Sequence, residues 1–170
     1  MPTPAFRASI RNGLTWPGGS APCVFGRSGA LPAADKREGD GASPLGPWPL
    51  RRVFYRPDRV APPQTGLVVV AMTPDTGWCD DPASPDYNRM VRLPFAASHE
   101  KLWREDRVYD VVVELGYNDD PPNPGSGSAI FLHLMQPDAR PTDGCVACSL
   151  EDMLALLAAA KPGDALEIAP

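Results

Sequence analysis

The segment Phe131 to Leu157, FLHLMQPDARPTDGCVACSLEDMLALL, gathers the residue types most able to do chemistry. His133 stands twelve residues before Cys145, which opens a Cys-x-x-Cys with Cys148. A thiol and an imidazole can form a catalytic pair, a redox pair, a metal site or a packing contact. A nucleophilic thiol needs a base or cation to hold it as thiolate, backbone donors for an oxyanion, and access for substrate. His133, near the end of an apolar run, can face Cys145 across an adjacent segment, and Gly144 lets the backbone turn so that successive N–H groups point inward. Cys145 also lies four residues before Ser149, the expected N-cap of the last helix. The positive end of that helix is expected to lower the thiol pKa.

The other readings fit the spacing less well. A thioredoxin-like dithiol sits where a strand runs directly into the helix of a βαβ unit, and that pattern is absent. A zinc site has paired ligand spacing, which His133, Cys145, Cys148 and the distant Cys79 lack. No metal or cofactor is therefore expected. Cys148 reads as packing at the start of the last helix, with reversible oxidation against Cys145 left open. His99 has no matching partner and reads as a surface histidine.

The elements that must position this pair are mostly strands. With 22 prolines and 15 glycines in 170 residues, the chain is interrupted too often for long helices over most of its length. RRVFYR, from Arg51, alternates its faces, with Val53 and Tyr55 on one and Phe54 on the other. TGLVVVAMTP is a short apolar run between turn formers and predicts a buried strand, and VYDVVVELGYN, from Val108, is the strongest strand signal. AIFLHL delivers His133 near its end. SHEKLWREDRVYD, with Ser98 as N-cap, predicts a short helix. SLEDMLALLAAAKPGD predicts a firm one, because Ser149 and Asp152 make a capping box and Pro162-Gly163 stops it. Gly77–Pro94 and Asn118–Ser128 are expected to be loops, and residues 26–50 a turn-rich segment lying across a sheet. Residues 1–22 are expected to form an arm and an edge strand, followed by one mainly β domain over 23–170.

Composition narrows the partners. At 43% hydrophobic the chain can build a core, and no window approaches the roughly 18 apolar residues of a membrane span. The start carries basic residues but no apolar core of a secretory signal. Residues 1–60 hold 9 basic and 4 acidic side chains, and residues 61–170 hold 7 and 17. The arginine cluster Arg51–Arg59 is offset by a pI near 4.9, which removes the broad positive field that nucleic acid needs.

The order His, spacer, Thr-x-Gly-Cys resembles the signature of the YkuD-type L,D-transpeptidase catalytic domain. KREGDGASPLGPWPL, GWCDDPASPDYN, VYDVVVELGYND and GSGSAIFLH fit the branch of small single-domain members, in the expected order. The resemblance implies a mainly β sandwich with one or two short helices, monomeric, acting on peptidoglycan stem peptides in the periplasm or cell wall. With no export signal visible, a cytoplasmic location stays open. Cys145 would attack a tetrapeptide stem and form a thioester, and His133, oriented by a backbone carbonyl, would be base and acid. Gly144 and its neighbours would form the oxyanion turn, with Thr142 in the Ser/Thr position. An amine acceptor then gives a cross-link, and water gives carboxypeptidase activity.

Two departures stand out. Asp143 occupies the position where the familiar version has histidine, and an inward carboxylate there would oppose thiolate formation. No arginine follows the cysteine, so Arg140 is the nearest cation in sequence for a substrate carboxylate. Trp78, Asp80, Asp81, Tyr87, Asn88 and, across the next loop, Asn118 are either substrate contacts or a scaffold of Asx turns and an aromatic plug. The departures allow an alternative: a protein that keeps the fold and holds cell-wall peptides without turnover.

Overall fold

The computed structural model describes residues 5–170. Strands β1 (Phe6–Ser9), β2 (Gly13–Trp16), β3 (Gly19–Ala21) and β4 (Ala30–Pro32) lead into the long β5 (Ser43–Tyr55), followed by β6 (Val68–Ala71). Then come β7 (Thr76–Cys79), β8 (Met90–Arg92), β9 (His99–Lys101), β10 (Val111–Leu115), β11 (Phe131–Leu134) and β12 (Val146–Cys148). A single helix, α1 (Leu150–Ala159), and β13 (Ala165–Ala169) close the described chain. The fold is mainly β.

The large sheet runs β12-β11-β10-β5-β13-β1-β2-β3, and β5 is its pivot. Residues 46–49 of β5 pair with β13, whereas residues 50–55 pair with β10, with a register shift between Val113 and Leu115. The main core gathers Phe6, Leu14, Leu166 and Ile168 from one half, Val53, Val113, Leu132 and Val146 from the other, and Met153, Leu156 and Leu157 from α1. Alternation then divides the site-bearing strands. Leu132 and Leu134 of β11, with Val146 and Cys148 of β12, face this core. Phe131 and Cys145 join a second cluster on the opposite face with Phe54, Trp78, Leu102, Tyr109 and Val112. A small sheet, β8-β7-β9, contributes Trp78 to that second cluster.

Several expectations hold. Val53 and Tyr55 face one cluster and Phe54 the other, and all five residues of β10 are buried. Ser149 caps α1, its hydroxyl accepting from the Asp152 N–H at 3.1 Å and donating to the Asp152 carboxylate at 2.6 Å.

Others are corrected. Within SHEKLW, His99–Lys101 is strand and no helix forms, because Cys79 pairs with His99, Trp78 with Glu100 and Gly77 with Lys101. The Leu102 N–H accordingly donates across to the Thr76 carbonyl at 3.1 Å instead of closing a helical turn. β6 forms, but it runs along β5 away from the sheet's main path, with Val68 64% exposed, so it is not buried. The loop expected over 77–94 is strand at both ends, β7 and β8. Residues 6–21, expected to hold an arm and one edge strand, form three strands, with β1 parallel to β13 inside the sheet and β3 at its edge; residues 1–4 lie outside the described residues. Pro47 and Pro49, read as turn formers, lie inside β5 opposite Glu167 and Ala165. The clustered arginines are engaged, Arg51 with Asp119, Arg52 with Glu114, Arg56 with Asp58 and Arg59 with Asp110.

Candidate active site

His133 and Cys145 line one cleft of about 620 Å³, together with Arg27, Lys36, Glu38, Asp80, Glu100, Arg104, Tyr109, Ser128, Arg140 and Asp143. Register explains the convergence: β11 and β12 run parallel, with His133 beside Ala147 and Leu132 beside Val146. Cys145, one residue before β12, points to the same face as His133.

The imidazole is buried, and its Nδ1 lies 2.9 Å from the carbonyl oxygen of Leu134. A carbonyl only accepts, so Nδ1 carries the proton and Nε2 keeps its lone pair. Burial pushes the His133 pKa down to about 4, so the ring is neutral across the physiological range. The edge of the ring meets Tyr109, with centroids 5.2 Å apart.

The thiol of Cys145 donates to the Ala129 carbonyl at 3.2 Å and accepts from the Phe131 N–H at 3.4 Å. Burial, reinforced by the nearby Glu100 carboxylate, pushes its pKa up to about 12. Burial thus works against the depression expected from α1, and the resting group is a neutral thiol.

Polar contacts fix the turn that presents it. Thr142 Oγ1 donates to the Cys145 carbonyl at 2.6 Å and accepts from the Gly144 N–H at 3.1 Å. Ser43 Oγ donates to the same carbonyl at 3.3 Å and accepts from the Gly26 N–H at 3.0 Å. Gly144 has φ +138°, and a Cβ there would sit 2.9 Å from the Ala42 carbonyl oxygen, so only glycine fits. Asp143 points outward, its side chain 95% exposed and paired with Arg27, so it is not aimed at the thiol. Arg140 lies on the rim, paired with Asp138 at 3.0 Å and still 63% exposed.

Trp78, Tyr87, Asn88 and Asn118 do not line the cleft. The Asn88 side chain accepts from the Trp78 indole at 2.9 Å and from the Ala129 N–H at 3.0 Å, and donates to the carbonyls of Tyr117 and Asn118 at 3.1 and 2.7 Å. Tyr87 donates to Glu38 and accepts from the Gly127 N–H at 3.0 Å. Asn118 closes its own loop onto the carbonyls of Asn123 and Gly127 at 3.0 and 2.9 Å. These residues act on the cleft from behind. Asn88 holds Ala129, itself at φ +53°, whose carbonyl takes the Cys145 thiol.

Glu100, Arg104 and Tyr109 form a cleft wall that spacing did not reveal. Tyr109 donates to Glu100, Arg104 stacks over the Tyr109 ring at 5.3 Å, and burial pushes both the Glu100 and Tyr109 pKa values up. All three lie in SHEKLWREDRVYD, whose sequence predicts a short helix, and nothing in their spacing marks a cleft. Lys36, buried on Asp40 at 2.8 Å, also lines the cleft. Among the described residues, no group of His, Cys, Asp or Glu is arranged to hold a metal ion.

No curated protein and no solved structure matches this chain. A family model does, over residues 4–168, which include both His133 and Cys145. Nearly the whole length is covered, and the chain belongs to the family of L,D-transpeptidase catalytic domains, YkuD.

Proposed function

We propose that the protein is a cysteine acyltransferase that carries out L,D-transpeptidation on peptidoglycan stem peptides. The observation that carries this reading is the pair in one cleft, a neutral thiol on Cys145 and a neutral His133 whose tautomer leaves Nε2 able to accept a proton. As the tetrapeptide enters, His133 takes the thiol proton and the sulfur attacks the carbonyl of the bond to the terminal D-amino acid. Backbone N–H groups of the Asp143–Cys145 turn face the oxyanion, while Gly144 N–H stays committed to Thr142. His133 then protonates the departing amine, leaving a thioester on Cys145. An amine of a second stem resolves it to a cross-link, or water resolves it to a shortened stem. Of the cations that line the cleft, Arg27, Lys36, Arg104 and Arg140, the role of meeting a substrate carboxylate, which an arginine after the cysteine would otherwise fill, is assigned to Arg104 and Arg140. Such a substrate implies action in the periplasm or cell wall. No helix among the described residues is long and apolar enough to cross a membrane.

The test is incubation with purified tetrapeptide muropeptides, with intact-mass and product analysis. The expected species is a thioester of the stem less its terminal residue, absent in Cys145→Ser and formed about 10²–10⁴-fold more slowly in His133→Ala. Tight muropeptide binding with neither adduct nor product would instead support the alternative, a protein that binds without turnover. That alternative draws on the high pKa of the resting thiol.

A further inference from the structure

Of the three cysteines outside the cleft, Cys23, Cys79 and Cys148, the sheet sets Cys23 and Cys148 opposite each other. The segment after β3 runs antiparallel to β12, with the Val24 N–H donating to the Ala147 carbonyl at 2.9 Å and the Ala147 N–H to the Val24 carbonyl at 3.0 Å. Val24 and Ala147 are thus a hydrogen-bonded rung, and the next rung, without hydrogen bonds, sets Cys23 opposite Cys148. Such rungs hold Cα atoms about 4.5 Å apart, inside the roughly 4.4–6.8 Å window of disulfides. Both side chains meet on the same face: Cys148 belongs to the main core, and half-buried Cys23 packs against it. A charge on Cys23 would also raise the Cys148 pKa, as expected of close neighbours.

We propose that Cys23 and Cys148 are a modification site, forming a cross-strand disulfide when the protein meets a low-molecular-weight disulfide such as oxidised glutathione. The more exposed Cys23, as thiolate, attacks one sulfur of the oxidant, whose S–S bond breaks and releases one glutathione, which takes up the proton Cys23 lost. Cys148, on losing its own proton, attacks the Cys23 sulfur and expels the second glutathione, which takes that proton. Two protein thiols are oxidised by two electrons, and one glutathione disulfide is reduced to two thiols. Burial holds both thiols protonated, with Cys23 near 11 and Cys148 near 12, so the uncatalysed exchange is slow at neutral pH.

Cys145 is excluded as the partner of Cys148. Along the extended chain the two side chains lie on opposite faces of β12, one in each cluster. The cross-link acts on the site indirectly. The segment that holds Cys23 also backs the Cys145 turn, through Phe25 and Arg27 to the Thr142 backbone at 2.9 and 2.8 Å and through Arg27 to Asp143. A disulfide would fasten one end of this strap to β12.

The experiment treats the full chain with oxidised glutathione and reads intact mass, peptide mapping and thermal melting. The expected result is loss of two hydrogens, a linked Cys23–Cys148 peptide, and a midpoint raised by about 5–15 °C that dithiothreitol reverses. Cys23→Ala, at a half-buried position, should lose both mass change and gain, whereas Cys145→Ala should cross-link like the wild type. An unchanged mass, a lasting glutathione adduct on Cys23, a link to any other cysteine, or a cross-link that lowers the midpoint would each overturn the proposal.

Discussion

The stretch from Trp78 to Asn88 and the stretch from His99 to Tyr109 both pack beside the cleft, yet, Asp80 apart, they serve it in opposite ways. The Trp78–Asn88 stretch is aromatic and polar, and its composition suggests substrate contact. Its side-chain hydrogen bonds nevertheless end on protein partners: the Trp78 indole on Asn88, Tyr87 on Glu38, and Asn88 on four groups. The His99–Tyr109 stretch has the sequence of an ordinary helix start and instead turns Glu100, Arg104 and Tyr109 toward the cleft. Partnering alone does not separate scaffold from wall, since Tyr109 donates to Glu100 and Arg104 pairs with Asp106; what separates them is which side chains line the cleft, and composition does not show that.

Asn88→Ala gives the largest stability effect. It removes four hydrogen bonds, three of them buried, and places alanine at φ +56°, so a loss of about 3–4 kcal/mol is expected from urea unfolding. Unchanged stability with a raised KM for stem peptide would reverse the assignment of the two stretches. Glu100→Gln acts on the other side of the comparison. It removes a carboxylate that opposes the Cys145 thiolate, so alkylation of Cys145 at mildly alkaline pH should quicken by about threefold or more. The same carboxyl has a linked effect on stability. Its pKa is raised in the folded state, so its contribution is present below the ordinary glutamate range near 4.5 and is lost as pH rises through the folded value. Stability of Glu100→Gln should therefore decline less between acid and neutral pH than that of the wild type, and a parallel decline would show that Glu100 is not the group responsible. In the wild type, alkylation should climb steadily towards pH 12 without a plateau near neutrality; such a plateau would reveal a preformed thiolate–imidazolium pair. The smallest stability effect is expected for Arg104→Ala. Its pair with Asp106 is more than a third exposed on the arginine side, so it should cost under about 1 kcal/mol in unfolding while raising KM for substrates that end in a carboxylate.

Much of this was legible where local rules and tertiary packing agree. Ser149 and Asp152 announced α1, and the alternation of Val53, Phe54 and Tyr55 named both faces of β5 before any partner was known. His133 and Cys145 could be paired because a strand end and a glycine turn bring them to one face. Legibility failed where pairing partners lie far away in sequence. β9 is strand because β7 lies beside it, and the prolines of β5 are tolerated because β13 pairs around them. Glu100 and Tyr109 escaped for the same reason, since their place on the cleft depends on a three-residue strand and a bend.

The bond from His133 Nδ1 to the Leu134 carbonyl has a consequence for how this site can fail. In sites where a carboxylate side chain orients the base, a single substitution can free the ring. Here the orienting atom belongs to the peptide backbone of the same strand, and every residue type supplies it. The aim of the imidazole is thereby inherited from the sheet, and damage to it must pass through the register of β11.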